Sequence, residues 1–239
     1  MGNKKRGVVV CLVVATFSLG CVAINEVSHG IAGFYVWKLV SGKYNGSDYA
    51  HVNGVDIYYE TYGAGQPVFV LHGGTAFLET MHYQIRALAE DYRVIAPDSR
   101  GHGRSSDGEV PLSYGLMSDD MLALMAQLGG ARADVVGWSD GGNIGLFMAR
   151  KEPQSVHHLV TIGSNYHFDG LVTEGSDLSA DSSTFESSKL VYDLVSPDPT
   201  HWPEFFQKVM DMWSTQPSLT PEQLAEIQSS VMVMAGEFD

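Results

Sequence analysis

The chain has 239 residues, 44% of them hydrophobic and 18% charged, and a formal net charge of -14 at pH 7. This is long and apolar enough for one substantial folded domain and unlike a disordered segment. The acidic balance argues against a nucleic-acid partner, which requires a basic surface.

The first residues differ from the rest. Met1 to Arg6 is a short basic head, and Val8 to Ile24 carries no charge. A positive head followed by an apolar run has the shape of an export signal, or of an anchor that stays in the membrane. Both cysteines, Cys11 and Cys21, fall within that run, so the remainder holds no disulfide framework. Ser18-Leu19-Gly20-Cys21 resembles a bacterial lipobox, although Ser18 stands where that pattern usually has Leu. The expectation is an exported chain, periplasmic or membrane-attached through residues 1–24, with Cys21 as a candidate lipidation site. Residues 25–49 are read as a linker and residues 50–239 as the folded domain.

From about Ala50 the pattern becomes strand-like. Asn53-Gly54 between two runs of β-formers predicts a hairpin over His51–Gly63. Pro67–Gly74 is an apolar run ending in glycines, which suits a strand buried on both faces. Helical spacing follows over Thr75–Asp91, then a strand over Tyr92–Asp98, a helix over Tyr114–Gly130 and a strand over Ala133–Ser139. A helix over Asp140–Lys151 and a strand over Val156–Asn165 continue the alternation, and the last strand starts near Ser230. Strands alternating with helices predict an α/β fold: a mostly parallel sheet with helices on both faces.

Between residues 166 and 229 the alternation breaks. His201–Ser214 reads as a helix, and Thr220 caps a second one with Pro221 at its first position and Gln223 at its third. An insert at this point lies over the carboxyl ends of the strands, where ligands bind in open α/β sheets, and is read as a lid. Phe185, Trp202, Phe205, Phe206 and Trp213 either line an apolar acyl pocket or belong to the core. Their helical spacing favours the core.

Gly137-Trp138-Ser139-Asp140-Gly141 is G-x-S-x-G between a predicted strand and a predicted helix. That context makes Ser139 a candidate nucleophile on a sharp turn, with free N–H groups and a positive dipole end behind it. His72-Gly73-Gly74-Thr75 follows a buried strand, so its backbone N–H groups are candidates for binding an oxyanion. His72 itself reads as structural. Asp98-Ser-Arg-Gly-His-Gly-Arg-Ser105 lacks the Gly-Lys-Ser/Thr ending of a phosphate loop and is read as a structural loop. No Cys/His ligand spacing appears, and neither metal nor organic cofactor is expected.

Taken together, "VLHGG", "RVIAPDSRGHGRS", "VVGWSDGGN" and "VMAGEFD" resemble the α/β-hydrolase superfamily, in the family's order, over residues 50–239. The "GWSDGG" elbow is similar to that of small esterase and lactonase members. The resemblance implies a serine nucleophile at Ser139, oxyanion donors at Gly74 and Asp140, and a triad acid at Asp239. It implies a small-molecule ester or lactone substrate. Relatives with dehalogenase or epoxide-hydrolase chemistry use an Asp where this chain has Ser139. The family's histidine base falls beyond the acid, so the sequence reads as a piece of a longer hydrolase or as a truncated, non-catalytic binding form. Of the nine histidines, His167 is the one expected near the functional edge.

Overall fold

The computed structural model describes residues 22–170 and 183–236. Residues 1–42 and 43–239 form two separate compact units. In the first, helix α1 spans Val22–Val40. Phe34 and Trp37, one turn apart, stack with ring centroids 5.6 Å apart. The signal-like segment before it, with Cys11 and Cys21, lies outside the described residues. No described helix is long and apolar enough to cross a membrane.

The second unit is a seven-stranded sheet in the order β1-β2-β4-β3-β5-β6-β7. Strands β1 (Tyr44–Val52) and β2 (Val55–Tyr62) form the expected hairpin, turning at Asn53 and Gly54, both with positive φ. β2 continues antiparallel onto β4 (Arg93–Pro97). β3 (Pro67–Leu71), β5 (Ala133–Trp138), β6 (Val156–Ile162) and β7 (Ser230–Met234) complete the parallel part. Helices α3 (Tyr114–Gln127) and α4 (Asp140–Lys151) pack with the sheet. Phe69, Leu71, Val135 and Leu159 meet Met117, Met121, Leu124, Ile144 and Met148 in one core. Each such side chain stabilises the fold by about 1.5–3 kcal/mol.

Two expectations need correction. The segment read as a linker over 25–49 holds most of α1 and the first half of β1. Tyr44 to Tyr49 is rich in Asn, Gly, Ser and Asp, which disfavour strands. Pairing with β2 overrides that preference, from Ser47 opposite Glu60 to Tyr49 opposite Tyr58. The helix expected over Thr75–Asp91 is much shorter. A 3₁₀ turn spans Leu78–Met81 and α2 spans His82–Leu88. Thr75 has φ 54° and Phe77 is extended at φ -157°, so no helix starts before them.

The insert packs as core. It contains α5 (Ser183–Val195), α6 (Trp202–Trp213) and α7 (Pro221–Ala225). The capping box of Thr220 and Gln223 at α7 is present as expected. Phe185, Trp202, Phe205 and Phe206 are buried together and Trp213 only partly. The first four therefore belong to the interior.

The loop after β4 is structural, as the sequence suggests. Buried Arg100 makes a two-pronged bond to buried Asp120, at 2.7 and 2.6 Å, and donates to the Asn53 carbonyl at 3.2 Å. Asp98 accepts from the backbone of Leu78 and Arg104 and from the Arg104 guanidinium. Replacing Asp120 with Ala strands the Arg100 charge in the interior. The expected loss is about 3–5 kcal/mol in urea unfolding, because an unpaired buried charge is far worse than an apolar pair. A loss below about 1 kcal/mol would mean that Asn53 suffices to hold Arg100.

Candidate active site

Register decides what meets at the carboxyl edge of the sheet. Leu71 of β3 lies opposite Gly137 of β5, so the residues following the two strands become neighbours. The chain then turns from β5 into α4 with no spare residue. A β-carbon on Gly137 would strike the backbone of Gly141 and Gly142, and one on Gly141 would come within 2.7 Å of the His72 carbonyl oxygen. Both glycines are required by close approach of backbone to backbone.

Ser139 sits in that turn as the N-cap of α4, with φ 51° and ψ -119°. This region is costly for any residue with a side chain, by about 1–3 kcal/mol. Four hydrogen bonds hold it there. The Ser139 N–H donates to the Ile162 carbonyl at 2.8 Å. Its own carbonyl accepts from Gly142 N–H at 2.9 Å, Asn143 N–H at 3.1 Å and the Ser164 hydroxyl at 2.9 Å. The Ser139 hydroxyl has no hydrogen-bond partner among the described residues, and the residue is half-buried.

The loop after β3 stands against it. A β-carbon on Gly73 would be 3.3 Å from Ser139 Cβ and 3.0 Å from the Trp138 ring, and one on Gly74 would collide with Trp213 and the Asp140 carboxylate. Thr75 is buried and has a positive φ, which is rare for a β-branched residue. His72 is structural, as expected. Its Nδ1 donates to the Gly73 carbonyl at 2.7 Å and its Nε2 accepts from Ser99 N–H at 2.9 Å. Burial lowers its pKa to about 4, so the ring is neutral. It fixes the loop's backbone to the segment after β4.

Asp140 shows what the sequence does not reveal. Its carboxylate accepts from the Tyr114 hydroxyl at 2.7 Å and from the Trp213 indole N–H at 2.8 Å. Burial raises its pKa to about 6, and the two donors partly offset that rise. The indole of the insert is thereby held beside Gly74, against the elbow. Tyr114, Ser164 and Trp213 are additions to the expected set. Trp213 was weighed only as an acyl-pocket or core residue, and no sequence spacing links it to Asp140.

Asp239 lies outside the described residues. His167 does not join Ser139. Its Nδ1 accepts from Asp169 N–H at 3.3 Å, and its ring stacks on Phe168. Among the described residues no imidazole hydrogen-bonds to the Ser139 hydroxyl.

A strand, a serine in a strained turn, a helix and an adjoining glycine loop at the carboxyl edge of a parallel sheet define the α/β-hydrolase class. A family model described as the alpha/beta hydrolase fold matches residues 66–191, more than half of the chain, and the chain belongs to that family. It is 35% identical over 127 residues to the "Putative carbamate hydrolase RutD" of Azorhizobium caulinodans, covering 52% of this chain and 47% of that protein. It is 34% identical over 110 residues to the soluble epoxide hydrolase of Corynebacterium sp., covering 46% of this chain and 38% of that protein. The chain thus spans about half the length of the curated relatives it matches. A solved serine hydrolase involved in carbazole degradation superposes with a TM-score of 0.67 at 23% identity, over 81% of this chain and 80% of that one. A membrane phospholipase A does so at 0.70 and 17% identity, over 97% and 81%. At these identities the likeness is one of fold.

The Asp140 carboxyl makes stability depend on pH in a direction opposite to that of most acids. Its folded pKa, about 6, lies above its ordinary value of 3.8. Between about pH 4 and 6 the folded chain keeps a proton that the unfolded chain has released, so this group's contribution falls as pH rises. The full cost, about 3 kcal/mol from two pKa units, persists above that window. In urea unfolding across pH 4–7, Asp140→Asn is expected to remove this downward component. An unchanged profile would show that Asp140 is ionised in the fold throughout.

Proposed function

We propose that the chain carries the nucleophile and oxyanion elements of a serine hydrolase that cleaves an ester or lactone. The observation that carries this reading is the Ser139 backbone. Its strained conformation is pinned by four hydrogen bonds while its hydroxyl has none among the described residues. A fold spends strain in this way where a side chain must be presented. In this reading Ser139 Oγ attacks the acyl carbonyl carbon. The carbonyl π electrons move to oxygen, and the N–H groups of Gly74 and Asp140 stabilise that negative charge. Collapse of the tetrahedral intermediate expels the alcohol and leaves an acyl-serine, which water then cleaves. Asp239 orients the histidine that accepts the Ser139 proton, and that histidine is not among the described residues. The hydroxyl at position 139 also argues against epoxide chemistry by a carboxylate nucleophile. No cofactor takes part. The insert acts as a lid through Trp213. Attachment or export through residues 1–24 belongs to the same proposal.

A second reading, ligand binding without turnover on the same fold, is favoured by one observation: no described imidazole reaches Ser139. Loss of the base from a Ser–His pair costs about 10⁴–10⁶ in turnover. A fluorophosphonate probe separates the two. Covalent labelling that disappears in Ser139→Ala is the expected result. Equal labelling of the wild type and the variant would sink the assignment of Ser139. No labelling of either would leave the binding reading in place.

A further inference from the structure

The opposite end of the sheet carries a second cluster of reactive side chains. Ala133 of β5 pairs with Val156 of β6, but Val135 pairs with Leu159, so two residues of β6 stand opposite Asp134 alone. Those two are His157 and His158. Successive strand residues normally point to opposite faces, and a one-residue bulge breaks that rule. Both imidazoles turn toward the same carboxylate, with ring centroids 3.7 Å apart. Both are half-exposed. His158 Nδ1 lies 2.9 Å and His157 Nδ1 3.4 Å from Asp134 Oδ1.

We propose that Asp134, His157 and His158 form a surface site for a divalent transition-metal ion of the zinc class, clamping β5 to β6. Two imidazole nitrogens and a carboxylate oxygen are zinc ligands. Ligand atoms about 2.0–2.1 Å from one tetrahedral ion are about 3.3 Å apart. The observed 2.9 and 3.4 Å bracket that spacing, and the three ligand atoms all lie within 4.8 Å of one another. The carboxylate is held in place by the His158 backbone N–H at 3.1 Å, a contact that orients it toward the rings. To bind, each imidazole carries its proton on Nε2 and offers the Nδ1 lone pair, and a water or buffer ligand completes the shell.

A second group with similar composition shows the difference. Asp107, His201 and Glu204 also lie close together, but Lys208 Nζ contacts Asp107 at 2.7 Å and Glu204 at 3.2 Å. An ammonium already neutralises those carboxylates, and a dication there would face its charge. Among the described residues no lysine or arginine contacts Asp134. The proposed site is also at the amino ends of β5 and β6, away from Ser139, so its role is separate from the elbow chemistry.

The test is titration of protein carrying no affinity tag with ZnCl2 by calorimetry, and with Co²⁺ by visible absorption. One zinc per chain is expected, together with the ligand-field bands of a tetrahedral cobalt site. The thermal midpoint is expected to rise with zinc. His158→Ala, His157→Ala and Asp134→Asn are each expected to weaken zinc binding about 100-fold and to abolish the thermal shift. His201→Ala is expected to leave both unchanged. The half-exposed imidazoles can be removed without a core defect, and a wild-type circular-dichroism spectrum confirms the fold of each variant. No zinc binding by the wild type, or binding unchanged in the His157→Ala/His158→Ala double variant, overturns the proposal. Neither result bears on labelling of Ser139.

Discussion

Everything at the carboxyl edge of the sheet depends on one close approach, where the backbone of α4 runs against the ends of β3 and β5. Gly137 and Gly141 leave no room for a side chain there. That contact forces the reversal of direction at Ser139, places the helix N-terminus behind it and brings the loop of Gly73 and Gly74 alongside. A methyl group at either glycine would push helix and sheet apart. Strain at Ser139 is therefore a property of the surrounding packing, which over-determines that residue's conformation. The hydrogen bond to the Ile162 carbonyl and those from Gly142, Asn143 and Ser164 are its means.

Around that turn the fold places neutral or saturated groups. His72 is buried and uncharged, and holds the Gly73-Gly74 loop to the segment after β4. His102 is buried against His72 and Phe205, and burial lowers its pKa to about 3. Asp140 has both carboxylate oxygens engaged by donors from α3 and α6. Its side chain ties the insert to the elbow. One residue thus joins catalysis, as proposed, to the attachment of the covering helices.

Much of this was legible in the residues. Asn53-Gly54 gave away the hairpin, since that pair favours positive φ at both turn positions. The limits of α4 follow from the elbow glycines and agree with the structure to the residue. Residues 44–49 were not legible as strand, because Asn, Gly, Ser and Asp there take their conformation from β2. The start of α2 was hidden for a related reason. Apolar spacing from Thr75 onward suits a helix, yet the residues beside the site are extended or left-handed. At the site, local motifs exposed Ser139 and the Gly73-Gly74 loop. Tyr114 and Trp213 reach Asp140 across separations of 26 and 73 residues, which no short motif encodes. The bulge that gathers His157 and His158 is likewise a matter of register, invisible in two adjacent histidines.

The placement of β7 has a consequence for the order in which the molecule assembles. Among the described strands it comes latest in the chain, and it pairs in parallel along β6. Its partner ends at Ile162, so docking closes the whole loop from residue 163 to residue 229. The entropy of that closure must be met before any of the strand's hydrogen bonds form. During synthesis the hairpin, the first parallel strands and the elbow helix can condense while β7 is still in the ribosome.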